Sequence, residues 1–357
     1  MLQKCNTKRK IFNMYEIIKL DTEITNRCNA ACPQCPRTGT YKGVSEVISS
    51  SGIRDVRVEV FDEILGSESG KNINKVTYCG NYGDPIMHPK AMEIFKKVHS
   101  YGVKYQNIDT NGAVRPTEWW VELAQIPGFH VTFAIDGLED TNHLYRVNTR
   151  WDKLIENVKA YIGAGGEASW VMIVFDHNDH QVEEAKALSQ KLGFKNFYWK
   201  ASTRKFKPES PTKPGVQEYK RKEKDEVKIA DIGFSEKSKW QASLISHGLI
   251  EHQVSCMAQK TRQLFLTSDE RILQCCHVQP TVWERKFIPH SHKKEPEFAD
   301  FIETHGLKTE LEDYTFDEIV ESYSEIWPYF ENAWERRQLR VCNRKCGSNF
   351  KNEVRSL

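Results

Sequence analysis

The stretch Cys28-Asn-Ala-Ala-Cys32-Pro-Gln-Cys35 lies directly after an apolar, strand-like run that extends from Ile17 to Ile24. Its cysteines are separated by three residues and then by two. Thiolates placed this close together suit an iron–sulfur cluster. A four-iron cluster held by only three thiolates leaves one iron open to a small ligand. The same donors also suit a zinc site with a fourth ligand elsewhere, or structural thiols.

Strand-like and helix-like segments alternate along the chain as far as residue 200. The strand candidates are residues 16–25, 74–79, 104–109, 130–136, 169–175 and 195–200. The helix candidates are residues 89–101, 151–163 and 180–192, where apolar residues recur at helical spacing. This alternation predicts an α/β fold with a parallel sheet and right-handed crossovers. Such sheets carry their chemistry at the carboxyl ends of the strands, so we expect the three cysteines at that edge.

Composition narrows the class of protein. With 357 residues and 39% hydrophobic residues, the chain has room for one large domain and a smaller one. No apolar run is long enough to span a membrane, and the polar, basic start does not read as a secretory signal, so we expect a cytoplasmic protein. The net charge of +2 does not call for nucleic acid or an anionic membrane. Ten cysteines without a signal peptide indicate metal or cluster chemistry in a reducing compartment.

The spacing of the first three cysteines resembles the cluster motif of the radical S-adenosylmethionine (SAM) superfamily. This resemblance implies a partial (β/α)6 barrel over residues 16–203 and a [4Fe-4S] cluster on Cys28, Cys32 and Cys35. It further implies that SAM is cleaved reductively to a 5′-deoxyadenosyl radical, which abstracts hydrogen from a substrate. An external electron donor such as flavodoxin or ferredoxin would supply the electron.

Three loops after predicted strands resemble further elements of that superfamily. The loop with Gly80, Asn81, Gly83 and Asp84 resembles its Gly-Gly-Glu-Pro loop, whose backbone meets the SAM amino group. Glycines allow such a close approach of the backbone. Many members of the superfamily carry Thr-Asn-Gly after the third strand, and residues 110–112 of this chain, with Asn111 at the centre, resemble that element.

The fourth strand ends in Ala134-Ile-Asp136-Gly, and Arg146 follows. By resemblance, Asp136 lines the mouth of the barrel, and Arg146 pairs with an acidic group of SAM or substrate. The planar guanidinium of arginine can bond both oxygens of a carboxylate. The chain departs from the superfamily at Gln34, where an aromatic residue is usual, at Ala134, where serine is usual, and at Asp84, where glutamate is usual.

The carboxyl-terminal half brings a second group of cysteines. A stretch rich in Lys, Pro, Glu and Ser, residues 204–228, begins a predicted linker and connecting segment over residues 204–249. Residues 262–276 read as a β-hairpin that ends in Cys275 and Cys276. A helical stripe of apolar residues follows, composed of Phe316, Ile319, Val320, Tyr323, Trp327, Phe330 and Trp334. Cys342 and Cys346 come after it, so the hairpin and helix can bring four thiolates to one site.

This arrangement resembles the twitch domain, a shortened relative of the SPASM domain that holds an auxiliary [4Fe-4S] cluster. The resemblance implies a small α+β domain over residues 250–357, with Cys256, Cys275 or Cys276, Cys342 and Cys346 as ligands. A zinc site with four cysteine ligands is the alternative. Cys5, in the amino-terminal extension of residues 1–15, and Cys79 have no assigned role.

The sequence motifs do not identify the substrate. Only 27 residues precede Cys28, which favours a small-molecule substrate over a peptide with a long leader. An oxidation or a bond-forming step is compatible with the motifs. Modification of a peptide or protein is the enzymatic alternative, and a non-catalytic zinc- or cluster-binding protein is the alternative of another class.

Overall fold

The computed structural model describes residues 16–38, 45–201, 254–288, 297–336, 338–346 and 355–356. The predicted extension of residues 1–15 with Cys5, and the whole of the predicted linker, lie outside these residues.

The described strands form one sheet of nine. They are β1 (Lys19–Thr22), β2 (Lys75–Tyr78), β3 (Tyr105–Thr110), β4 (Phe129–Ala134), β5 (Glu167–Val174), β6 (Asn196–Ala201), β7 (Gln263–Leu266), β8 (Ile272–Leu273) and β9 (Arg355–Ser356). Their order in the sheet is β8-β7-β1-β2-β3-β4-β5-β6-β9. Strands β1 to β6 pair in parallel in chain order, so the predicted α/β fold with an open, partial barrel is confirmed.

The predicted hairpin is present, but it joins the barrel sheet instead of forming a sheet of its own. Strand β7 pairs in parallel with β1, with Leu264 opposite Leu20, and β8 pairs with β7 in the antiparallel sense. All four residues of β7 are buried. A strand buried on both faces is typical of a parallel sheet, which explains why this segment extends the barrel wall. The domain boundary near residue 249 stays a prediction.

The helices alternate with the strands. In chain order they are α1 (Glu46–Ser51), α2 (Val60–Leu65), α3 (Ala91–Ser100), α4 (Thr117–Ala124), α5 (Asn142–Tyr145), α6 (Trp151–Gly163), α7 (Val182–Leu192), α8 (Met257–Lys260), α9 (Gln279–Phe287), α10 (Glu297–His305), α11 (Phe316–Glu335) and α12 (Arg340–Cys346). Short 3-10 turns at Pro85–Met87 and Asp179–Gln181 complete the set. The structure gives α6 its predicted bounds, and α3 and α7 start two residues later than predicted.

The two faces of the sheet differ in chemistry. One face packs on the helices and is apolar, with Leu20, Val76, Ile108, Val131 and Trp170 fully buried. Because side chains alternate along a strand, the other face presents the residues between them. That face is polar and lines the concave interior of the partial barrel. It carries Asp21, Thr77, Asn107, Asp109, Thr132 and Ser169. Hydrogen bonds connect its side chains, along β3 from Asn107 to Asp109 at 3.0 Å and between strands from Thr132 to Asn107 at 3.1 Å.

Helix α11 carries the predicted apolar stripe, and every residue of that stripe is buried. Thr315 and Glu318 form a capping box at its amino terminus, in which each side chain bonds the backbone of the other residue. Rings of Phe298, Phe301 and Trp327 surround Phe330. Of the helices in the described ranges, none is long and apolar enough to cross a membrane.

Candidate active site

The loop with the first three cysteines follows β1 and is fixed from both sides. The amide of Ala31 donates to the carbonyl oxygen of Val147 at 3.0 Å. The side-chain amide of Asn111 donates to the side-chain oxygen of Asn29 at 2.9 Å. The amide of Cys35 donates to the carbonyl oxygen of Cys32 at 3.0 Å, which closes a turn. The loops after β3 and β4 therefore hold the cysteine loop at the carboxyl ends of the strands.

The three cysteines share one apolar pocket. Cys32 is buried, and Cys28 and Cys35 are partly buried beside it. The pocket wall consists of Ala30, Tyr145, Ile173 and Phe175. Burial raises the pKa of the Cys32 thiol to about 11, and Arg146 opposes that effect. Burial likewise raises the pKa of Cys28 far above its ordinary value.

This donor set fits an iron–sulfur cluster. The three soft thiols belong to one apolar cluster of side chains, and ligand thiols must lose their protons when they bind a metal. Within the described ranges, no three Cys, His, Asp or Glu side chains lie close enough to hold a single metal ion. The fit to a cluster therefore rests on the donor chemistry and the shared pocket.

The glycine-containing loop after β2 lies directly against the cysteine loop. The Cys35 Sγ atom is 4.0 Å from the carbonyl oxygen of Asn81. The amide of Asp84 donates to the carbonyl oxygen of Arg27 at 2.8 Å. A Cβ atom on Gly83 would lie only 1.7 Å from the carbonyl oxygen of Thr25, so only glycine fits there. From here on we call residues 79–84 the β2 loop.

Asp84 is buried and its carboxylate is already bound within the protein. It accepts hydrogen bonds from Thr110 Oγ1 at 2.8 Å, from the Asn111 amide at 2.9 Å and from Asn111 Nδ2 at 2.6 Å. Burial raises its pKa, and these donors oppose that effect. Asp84 and Asn111 thus lie in the predicted region, where they tie the β2 loop to the end of β3.

Asp136 and Arg146 form a largely buried ion pair beside the cysteines. Arg146 Nε lies 2.6 Å from Asp136 Oδ2, and the other carboxylate oxygen accepts from the Ile173 amide at 2.6 Å. A terminal nitrogen of Arg146 is 3.8 Å from Cys32 Sγ. Burial raises the pKa of the Asp136 carboxyl, and the Arg146 guanidinium opposes that effect. The guanidinium of Arg146, held by Asp136, therefore places a positive charge beside the three cysteines.

Sequence reasoning missed Glu23 and Gln279. Glu23 is buried at the end of β1, and its Oε1 atom accepts from the amides of Tyr82 at 2.6 Å and Gly83 at 3.0 Å. Gln279 is the first residue of α9 and donates to the other Glu23 oxygen. Burial raises the pKa of Glu23 from 4.5 to about 7. The only sequence signal for this site was an acidic residue, Glu23, directly after the first strand. It did not reveal the partner from α9.

The structure separates the two adjacent cysteines of the second group. Cys275 interacts electrostatically with its neighbour Cys276 and with Cys342 and Cys256, and Cys346 interacts with Cys256 and Cys342. The amide of Ser255 donates to the Cys346 carbonyl oxygen at 2.8 Å, which brings α12 beside Cys256. The predicted site residues Cys256, Cys275, Cys342 and Cys346 therefore lie in one group.

Cys276 points the other way, toward the polar interior of the barrel. Its electrostatic neighbours are Asp21, Glu23 and Lys19. Cys79, for which the sequence offered no role, has Asp21, Cys276 and Asp109 as neighbours. Cys275 opens a turn that the Val278 amide closes on the Cys275 carbonyl oxygen at 3.3 Å, and Cys276 lies within that turn.

Comparison with known proteins agrees with this geometry. Residues 22–188 match the family model of the radical SAM superfamily. Two curated proteins are similar over parts of the chain. A tungsten-containing aldehyde ferredoxin oxidoreductase cofactor-modifying protein of Pyrococcus furiosus is 32% identical over 116 residues, which is 32% of this chain and 30% of that protein. A probable GTP 3′,8-cyclase of Methanothermobacter marburgensis is 29% identical over 146 residues, 41% of this chain and 43% of that protein.

A solved structure shares the fold. Streptococcus suis SuiB bound to S-adenosylmethionine superposes with a TM-score of 0.52 at 14% identity, covering 76% of this chain and 63% of SuiB. The chain thus spans less than two thirds of each of these proteins. These findings support the radical SAM superfamily, and they favour an enzyme over the non-catalytic binding protein that the cysteines also allowed.

Proposed function

We propose that this protein reductively cleaves SAM at a [4Fe-4S] cluster bound by Cys28, Cys32 and Cys35, and abstracts hydrogen from a small polar substrate in the barrel. The observation that carries the proposal is the shared pocket of these cysteines, directly beside the β2 loop at the carboxyl ends of the strands. The match of residues 22–188 to the radical SAM superfamily supports it.

The residues around the pocket have distinct tasks. Cys28, Cys32 and Cys35 would hold the cluster, which would supply the electron for the reductive cleavage of SAM. The β2 loop, through Gly80, Asn81 and Gly83, offers backbone groups to the SAM amino acid moiety. Asp84 and Asn111 hold that loop in place, and Asp136 orients Arg146 toward the pocket. The apolar wall excludes water from the reacting atoms.

The interior of the barrel suggests the class of substrate. It presents carboxylates, amides, hydroxyls and thiols, including Asp21, Asp109, Asn107, Cys79 and Cys276. A compound with several hydrogen-bonding groups fits this lining better than an apolar one. The two curated relatives are described as a cofactor-modifying protein and a probable GTP cyclase, which supports a small molecule. The reducing electron comes from an external donor such as flavodoxin or ferredoxin.

An auxiliary [4Fe-4S] cluster on Cys256, Cys275, Cys342 and Cys346 is part of the proposal. The grouping of these four thiols supports it, and the orientation of Cys276 speaks against that residue as a ligand. Ligation by four cysteines leaves no open iron, so this cluster would move electrons or stabilise the fold. An electron acceptor near the barrel suits an oxidation of the substrate radical.

The test is anaerobic purification and reconstitution, followed by iron and sulfide analysis and by incubation with SAM and dithionite. Two clusters predict about eight irons per chain, together with release of 5′-deoxyadenosine. About four irons with the same release would remove the auxiliary cluster from the proposal. Zinc in place of iron, without SAM cleavage, would overturn the proposal as a whole.

Variants assign the cleavage to the first three cysteines. Cys28→Ala, Cys32→Ala and Cys35→Ala should each abolish 5′-deoxyadenosine release. Cys5→Ala is the control, because Cys5 belongs to neither cysteine group and has no assigned role, and it should retain SAM cleavage. Full cleavage by any variant of the first three cysteines would contradict the assignment.

Modification of a peptide is the second candidate. The fold neighbour SuiB has also been solved bound to its precursor peptide SuiA, with a TM-score of 0.52 and 14% identity. Candidate peptides and polar metabolites can be compared by the increase in 5′-deoxyadenosine formation that each causes with SAM. A response to peptides alone would replace the small-molecule proposal.

A further inference from the structure

The β2 loop is held by a chain of hydrogen bonds that begins in the barrel and ends in the carboxyl-terminal half. Glu23 accepts from the amides of Tyr82 and Gly83 with one oxygen and from Gln279 with the other. Gln279 Oε1 in turn accepts from Asn81 Nδ2 at 2.7 Å. The oxygen and the nitrogen of the Gln279 side chain therefore both have a partner in or beside the β2 loop.

Helix α9 touches the loop at a second point. Trp283 lies one turn beyond Gln279, on the same face of the helix, since residues four apart are neighbours. Its ring stacks on Tyr82 with centroids 5.1 Å apart and an angle of 6° between the planes. Gln279 and Trp283 are both fully buried. One face of α9 thus contacts two side chains of the loop, Asn81 through Gln279 and Tyr82 through Trp283.

The same loop is joined to the segment that carries the second group of cysteines. Asn81 Nδ2 also donates to the carbonyl oxygen of Cys276 at 2.7 Å. Cys276 is adjacent to Cys275, and Gln279 follows three residues later. The backbone between the second cysteine group and α9 is therefore bonded directly to the loop beside the first group.

We propose that Gln279 is a positioning residue for SAM, which acts from the carboxyl-terminal half through Glu23 and Asn81 to fix the β2 loop. This inference rests on the proposed function, because the β2 loop is there assigned to the SAM amino acid moiety. Gln279 lies outside residues 22–188, the part of the chain that matches the superfamily. In this protein the carboxyl-terminal half contributes to SAM affinity without touching SAM.

The donor and acceptor pattern permits a sharp test by residue exchange. Gln279→Glu places two carboxylates against each other in a buried site, and Glu23→Gln places two amide donors against each other. The double variant Glu23→Gln/Gln279→Glu restores every bond and reverses the direction only of the bond between positions 23 and 279. In it, the new amide at position 23 would accept from the two loop amides and donate to the new carboxylate at position 279. That carboxylate would still accept from Asn81.

The measurement is the KM for SAM in dithionite-driven 5′-deoxyadenosine formation, with SAM as the only small molecule added besides dithionite. Each single variant should raise this KM about tenfold, because a buried polar group loses its partner, while kcat stays within about twofold. The double variant should return the KM to within about twofold of the wild-type value. Rescue of this kind distinguishes positioning from a general loss of stability.

Gln106→Glu is the matched control, since Gln106 is also a buried glutamine with two bonds, one from the Tyr78 hydroxyl and one to the Phe95 carbonyl oxygen. Gln106→Glu should lower the free energy of unfolding and leave the KM for SAM unchanged.

Wild-type protein that does not cleave SAM would refute the proposed function. If the wild-type protein cleaves SAM, two results would overturn the role of Gln279. One is an unchanged KM for SAM in both single variants. The other is a double variant in which the KM does not return toward the wild-type value. Should one single variant fail to fold, the other single variant and the double variant decide.

Discussion

The two groups of cysteines are assembled in different ways. Cys28, Cys32 and Cys35 come from one loop, whose length and cysteine spacing already bring the thiols together. Cys256, Cys275, Cys342 and Cys346 come from three segments that tertiary contacts bring together, among them the hydrogen bonds from Tyr323 of α11 to Ile272 of β8 and from Ser255 to Cys346 of α12. The first group therefore depends on local sequence, and the second depends on the tertiary fold.

Their electrostatic surroundings differ as well. Arg146, held by Asp136, lies 3.8 Å from Cys32. Among the side chains that the structure describes, the second group has neutral hydrogen-bond partners such as Gln274, whose side-chain amide donates to Cys256 Sγ at 3.0 Å. A nearby positive charge stabilises thiolates and favours an anionic ligand. The comparison teaches that the first group is suited to reactive chemistry, whereas the second is suited to a closed, structural or electron-transfer role.

The adjacent cysteines Cys275 and Cys276 offer the strongest test of the second group. Cys275→Ala should remove about four of about eight irons, because it deletes a ligand. Cys276→Ala should retain all of them, because its thiol faces the barrel interior. Iron and sulfide analysis of the two reconstituted variants gives the answer. Equal losses in both variants would contradict the separation of the two thiols.

The dependence of the second group on packing can be tested with Phe330→Ala. Phe330 is fully buried in α11, and its truncation should cost about 3–5 kcal/mol of the free energy of unfolding. We expect loss of the irons of the second group, with SAM cleavage retained by the first. Urea unfolding and iron analysis measure both effects.

Tyr329→Ala is the control on the same helix, because Tyr329 is 55% exposed. It should change the free energy of unfolding by much less than Phe330→Ala. If Phe330→Ala abolished SAM cleavage while the irons of the first group remained, the two groups would be coupled more closely than the comparison suggests.

Glu23 lies between the two regions and should make stability depend on pH. Burial raises its pKa from 4.5 in the unfolded chain to about 7 in the folded protein, so the folded state holds this proton more tightly. The resulting stabilisation is full below pH 4.5 and is lost as pH rises through about 7, an effect of about 3 kcal/mol. Glu23→Gln should lack this loss.

The free energy of unfolding of wild type and Glu23→Gln, measured between about pH 5 and pH 8, tests this prediction. The wild-type protein should lose stability relative to the variant as pH rises. Parallel pH profiles would show that Glu23 keeps an ordinary pKa in the folded protein.

The smallest effect is expected at the start of α11. Thr315→Ala removes the side-chain cap and should cost about 1 kcal/mol of the free energy of unfolding. Thr315→Ser keeps the hydroxyl and should lose only a fraction of that. Thermal or urea unfolding of the pair measures the difference. A Thr315→Ala variant as stable as wild type would show that the cap contributes nothing to the helix.

Much of the barrel could be predicted from the sequence, since its signals are local. The alternation of apolar and polar residues located β1 to β6, and the spacing of Leu154 and Val158 located α6. The pairing of β7 with β1 could not be predicted, because the sequence of a short buried strand does not specify its neighbour. The same limit applies to Asp84, whose partners Thr110 and Asn111 come from the next strand.

The sequence by itself determined the local features of the proposed site: three thiols in one short loop, a strand before them and the Gly-containing loop after β2. These features are local, and local spacing is written in the chain. Only the tertiary structure decided that Cys275 joins the second group while Cys276 faces the barrel, and that Gln279 reaches Glu23 and Asn81 from the other half. Contacts between distant segments depend on how helices and strands pack, and no single stretch of sequence contains that information.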